Sequence, residues 1–218
     1  MIMEGPESGI LPDIAYGIFE IFLNKGLKAR GSFLFELVEQ RLDFKDSFND
    51  IFIEFEKEYP PLAQTILMKF GDTNFIYQML CSGEGVTPSI TTQMYFITQD
   101  APNVEQSDMD NEFAGKWLIF VDSQSVDEAW RKICNATRIG YLGISAKVST
   151  AKPNPESRDN RKVIFVYTRD WRDEADVMRV RERLREMGFV ERLGYKRNIE
   201  TYRGEYSKKG KRVTYYSA

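Results

Sequence analysis

Apolar residues recur with a helical period through roughly the first eighty positions, and the period then shortens to that of strands. Ile14, Ile18, Ile21 and Phe22 keep the i, i+4, i+7, i+8 spacing of one helix face. Ser32 is placed to cap a second helix whose apolar face is Phe33, Leu34, Leu37 and Val38. Phe48, Ile51, Phe52, Phe55 and Tyr59 make the cleanest stripe in the chain. Pro60-Pro61 should end it, because proline cannot continue a helix and restricts the residue before it. Leu62, Ile66, Leu67 and Phe70 predict a further helix broken at Gly71-Asp72, and Phe75, Ile76, Met79 and Leu80 predict one more. Ser82-Gly83-Glu84-Gly85 and Pro88 then read as a boundary. The expected organisation is an all-α unit over 1–85 and an α+β domain over 86–218.

Beyond that boundary, residues 90–98 are β-rich, 99–114 form a polar acidic loop, and Lys116 to Val121 (KWLIFV) reads as a buried strand. Ser125 and Glu128 have capping-box spacing and open a helix with Val126, Ala129, Trp130 and Ile133 on one face. Residues 144–150 alternate: Ile144, Ala146 and Val148 on one side, Ser145, Lys147 and Ser149 on the other. A basic turn-rich loop over 151–162 leads into a strand over 163–168. Asp173 caps a helix with the stripe Val177, Val180, Leu184 and Met187, stopped by Gly188. The end of the chain offers one or two more strands and a basic tail. Two strands joined by a loop rather than a helix favour a curved antiparallel sheet with helices on one face.

Composition narrows the chemistry. The chain has no histidine and only two cysteines, Cys81 and Cys134, too far apart for a zinc spacing or a CxxC pair. Ser-His-Asp and Cys-His sites are therefore excluded, and no metal or cofactor is expected. The apolar run from Ile14 to Leu23 is broken by Glu20 and too short to span a bilayer, so no membrane role is expected. The opening MIMEGPESG lacks the basic start of a secretory signal, and a cytoplasmic location is expected.

The net charge of −3 conceals an asymmetry. Residues 1–110 carry 7 Lys/Arg against 18 Asp/Glu, and residues 111–218 carry 23 against 15. A basic second half points to phosphate, nucleic acid or an acidic partner. With neither GxGxxG nor GxxxxGK[ST] present, a phosphate site must be built from side chains. Strand alternation gathers Lys147, Ser149, Tyr167 and Arg169 on the face away from the helices, where lysine supplies a point charge and arginine a fork matched to phosphate oxygens. Trp171, between arginines at a helix start, suits either stacking on a base or stapling the helix that follows. Lys196 and Arg203 stand among tyrosines in the tail, the mixture of cations and rings that single-stranded nucleic acid uses.

Four stretches in order along the chain, KWLIFVDSQSVDEAWRKI, GISAKVST, VIFVYTRDWRDEADVMRVRERLREMGF and YKRNIETYRGEYS, resemble the basophilic leukaemia-expressed protein family. The resemblance covers about residues 90–207, and archaeal members of that family carry a phosphothreonine lyase label. It implies a fold similar to the cap-binding translation initiation factor 4E, a curved antiparallel sheet backed by helices. The expected function is a module binding RNA, a nucleotide or another phosphate-bearing ligand on the concave face. Two alternatives stand beside it: a phosphothreonine-lyase-like enzyme with Lys147 as base, and a protein-interaction module using the acidic residues 1–85.

Overall fold

A computed structural model describes residues 10–102, 104, 112–154, 160–202 and 214–218. The chain divides into two compact units, one formed by Met1–Tyr95 with Thr150–Asn154 and the other by Phe96–Ser149 with Pro155–Ala218. The division falls ten residues later than the glycine-rich stretch predicts. Backbone hydrogen bonds account for the shift: Thr150 N–H donates to the Tyr95 carbonyl and Ala151 N–H to that of Pro88, so 88–95 and 150–154 hold together.

The first unit is helical: α1 (Ile10–Ala29), α2 (Leu34–Glu39), α3 (Lys45–Glu58), α4 (Pro60–Phe70) and α5 (Thr73–Cys81). α3 ends before Pro60, which then opens α4 at a position where its missing N–H costs nothing. Gly71 ends α4 with φ 89°. Asp72 caps α5, accepting from Phe75 N–H at 2.8 Å. α1 packs against α3 and α4. Phe19 meets the rings of Phe48, Phe52 and Phe55 at 6.1, 5.3 and 5.2 Å. At Gly26 a Cβ would stand 2.9 Å from the Ile51 side chain, so the glycine sets how closely α1 and α3 approach.

The face of α1 differs from the expected one. Ala15, Tyr16, Phe19, Leu23 and Leu27 are buried, while Ile14, Ile18 and Ile21 are 52%, 37% and 57% exposed. α1 has two apolar stripes, and the one whose rings interdigitate with the α3 phenylalanines turns inward. Phe22, on the edge between them, packs its ring against Phe55 at 5.5 Å. Among the described residues no helix is long and apolar enough to cross a membrane.

The second unit is α+β. β1 (Phe96–Asp100), β2 (Gly115–Val121), α6 (Val126–Arg138), β3 (Ser145–Ser149), β4 (Lys162–Thr168), α7 (Glu174–Glu186), β5 (Gly194–Arg197), α8 (Asn198–Tyr202) and β6 (Tyr216–Ser217) follow in order. The six strands form one curved antiparallel sheet in the order β1-β3-β4-β2-β5-β6. α6 packs on β1 and β3, and α7 on β4. One sheet face is therefore core: Ile97, Trp117, Ile119, Ala146, Val148, Ile164, Val166 and Tyr195 are buried. Trp117 also donates its indole N–H to the Val177 carbonyl of α7 at 3.0 Å.

The helix starts follow the sequence unevenly. Asp173 caps α7 by accepting from Asp176 N–H at 3.1 Å. Ser125 precedes α6, but its φ and ψ of −102° and −6° are already helical, and its side chain makes no cap bond. The capping box is not formed, and Glu128 pairs with Lys132 one turn on, at 2.9 Å.

Candidate ligand-binding face of the sheet

Because side chains alternate along a strand, burying Trp117, Ala146, Val148, Ile164 and Val166 turns their neighbours to the other face. The register shows which of those neighbours meet. Lys116 of β2 lies opposite Tyr167 of β4 on one side and Lys196 of β5 on the other. Lys147 of β3 lies opposite Phe165 of β4 and Thr98 of β1. Lysines from three strands thus share a face with Phe96, Phe165 and Tyr167. Like charges placed directly opposite across a ladder repel, and Lys116 and Lys196 stand opposite in this way.

Lys116 is the centre of the group. Only 8% of it is exposed. Its Nζ donates to Asn198 Oδ1 at 3.1 Å and stands 5.6 Å from the Phe165 ring centre and 5.3 Å from that of Tyr167. Burial first, then the charges of Lys196 and Lys147, push its pKa down to about 8, against the opposing pull of Glu200. Lys147 Nζ lies 4.4 Å over the Phe96 ring. Phe165 stands 6.2 Å from Phe96 and 6.4 Å from Tyr167, so the rings form a continuous apolar floor beneath the amines.

The other expected site residues divide. Tyr167 lies on this face beside Lys116, and Lys196 opposite it. Ser149 is on the face as well, with its hydroxyl oxygen accepting from Val163 N–H at 2.9 Å. Arg169 is exposed and follows the last residue of β4. It lies four positions along the chain from Phe165, the partner of Lys147, or roughly 13 Å of extended chain.

Trp171 belongs to a different group of contacts. Its ring meets Tyr215 edge-on at 5.0 Å, its indole N–H donates to the Glu112 carbonyl at 3.2 Å, and Arg197 lies 4.8 Å over it. In the same stack Arg197 also covers Tyr215 at 4.3 Å and pairs with Glu200 at 2.9 Å. Arg203 lies outside the described residues.

Lys116 is the residue that sequence reading passes over, because KWLIFV reads as a wholly buried run. The signal is present all the same: taking Trp117 as core puts Lys116 on the same face as Tyr167 once β2 and β4 pair.

With this geometry in view, the chain can be set beside known proteins. Residues 105–204 match the family model of the basophilic leukemia-expressed protein Bles03. The matched segment runs from before β2 into the stretch after α8, and it contains Lys116, Lys147, Phe165, Tyr167 and Lys196. Among solved structures, the chain is similar to schistosome eIF4E complexed with m7GpppA and 4E-BP. Identity is 15% over 50% of this chain and 60% of that one, with a TM-score of 0.39. It is also similar to Ascaris suum eIF4E-3 with the m2,2,7G cap and with the m7G cap. Identity is 17% in both, covering 53% of this chain and 64% of each, with TM-scores of 0.36 and 0.35. The chain therefore spans under two thirds of the length of these structures.

Proposed function

We propose that the lysine-bearing face of the sheet binds a phosphate-bearing ligand, a nucleotide or RNA. The observation that carries this reading is Lys116: a nearly buried amine, set against two further lysines and over two rings. Such a grouping costs the fold stability, and an arriving anion offsets the cost. A phosphate would bring negative charge to the three amines, and Phe96, Phe165 and Tyr167 offer flat surfaces for a base or sugar. The test is equilibrium binding of ATP and of a short single-stranded RNA to the whole chain and to Lys116→Met and Lys147→Met. Each variant is expected to bind at least tenfold more weakly. Equal affinities in all three proteins would contradict the reading.

A second reading draws on the same amine. A lysine pushed down to about 8 is unprotonated in a minority of molecules at neutral pH, and that form can accept a proton, which suits phosphate elimination from a phosphothreonine residue. In that reaction Lys116, rather than Lys147, takes the α proton. The electron pair forms the Cα–Cβ double bond, and the Cβ–O bond breaks as phosphate leaves. Release of inorganic phosphate from a phosphothreonine peptide, abolished by Lys116→Met, supports this reading, and no release leaves the binding module alone.

A further inference from the structure

Along β2 the side chains of the ligand face follow one another as Lys116, Leu118 and Phe120, with Trp117 and Ile119 turned into the core between them. Phe120 is 51% exposed, although β2 lies between β4 and β5 inside the sheet. The register gives the reason. β5 pairs with β2 from Gly115 to Leu118 only, and opposite Leu118 it brings Gly194, which has no side chain. On the other side Phe120 lies opposite Val163, a small neighbour. The ring therefore stands open at the end of the face.

A cation lies against it. The Arg161 guanidinium stands 5.1 Å over the Phe120 ring. Arg161 immediately precedes β4, whose first residue Lys162 lies opposite Val121, so Arg161 and Lys116 occupy opposite ends of the β2–β4 pair. Lys147 leans toward the Arg161 end. Its amine lies over Phe96, and the row that starts at Phe96 crosses the sheet through Ser149 and Val163 to Phe120. Cations and rings thus alternate along the face: Lys116 with Tyr167, Lys147 with Phe96, and Arg161 with Phe120. A single exposed phenylalanine needs no explanation, but this one continues a basic face and carries an arginine.

From Lys116 to Phe120 is four residues of strand, roughly 13 Å. A base and the phosphate of its own nucleotide are joined through one sugar and do not bridge that length, whereas the next nucleotide of a strand does. We infer that Phe120 and Arg161 form a second base site, and that the ligand of the lysine face is a single-stranded oligoribonucleotide rather than a mononucleotide. This rests on the preceding reading, that the face binds phosphate. A base stacks on the open side of the Phe120 ring, and Arg161 supplies positive charge to the phosphate beside it.

The experiment compares AMP with 5′-phosphorylated tetra-adenylate RNA in equilibrium binding to the whole chain, to Phe120→Ala and to Phe120→Trp. The parent is expected to bind the RNA about tenfold or more tightly than AMP. Phe120→Ala is expected to weaken RNA binding about fivefold or more, the usual effect of losing one stacked base, while AMP binding stays within about twofold. Phe120→Trp keeps a stacking ring and is expected to retain the RNA affinity. Urea midpoints of both variants check that each stays folded, as expected for a half-exposed position. RNA binding unchanged in Phe120→Ala would overturn the inference and leave the phosphate reading standing, and so would equal affinity of the parent for AMP and RNA. An equal loss in Phe120→Ala and Phe120→Trp would also overturn it, because stacking would then not be what the ring supplies. A parent protein that binds neither probe would overturn both readings.

Discussion

An amine enclosed by Phe165, Tyr167, Lys196 and Lys147 weakens the fold that holds it, and the pH dependence of stability reads out that cost. An ordinary lysine titrates near 10.5, and Lys116 at about 8. Below pH 8 both folded and unfolded chains carry the proton, and the full destabilisation is present. Between 8 and 10.5 the unfolded chain binds more protons, so stability rises with pH, and above 10.5 the penalty is gone. The shift corresponds to roughly 3 kcal/mol. Lys116→Met is therefore expected to be more stable than the parent protein by up to about that amount at pH 7, with the gain fading toward pH 10.5, as urea midpoints would show. A variant that folds better and binds worse is the mark of a residue kept for its ligand. A Lys116→Met variant no more stable than the parent at pH 7 would mean that Lys116 is already compensated in the fold.

At the scale of elements, α1 separates what a pattern can reveal from what it cannot. Its helical period follows from the sequence, but two stripes satisfy that period, and the phenylalanines of α3 decide between them. Phe19→Ala is expected to cost about 3–5 kcal/mol, whereas Ile18→Ser should change stability by no more than about 0.5 kcal/mol. Chemical denaturation of both would reveal a wrong face at once. The strands are easier to read, because a period of two leaves just two faces and Trp117, Val148 and Val166 choose between them. Lys147 and Tyr167 are reached in that way. Lys116 escapes because the residues that follow it are all apolar. Arg181 escapes for another reason. It falls inside the stripe of α7, fully buried, with its guanidinium donating to the carbonyls of Phe189, Glu191 and Ala218 at 2.5–3.0 Å. Those acceptors come from other parts of the chain, and no helical periodicity announces them.

For the whole molecule, the charge asymmetry carries furthest. The three lysines of the face belong to the half with 23 Lys/Arg against 15 Asp/Glu, and a backbone of phosphates would exchange its condensed counterions for those lysines. Each phosphate neutralised on a single strand contributes about −0.7 to the slope of log K against log salt, so three lysines predict a slope of about −2. The most direct measurement is that slope for a short single-stranded RNA, taken on the whole chain and on the double variant Lys116→Met with Lys147→Met. The parent is expected to show a slope of about −2 and the double variant one of about −0.7, with a fall in affinity at every salt concentration. A flat response in the parent, or the same slope in both proteins, would contradict a phosphate-binding face built on these lysines.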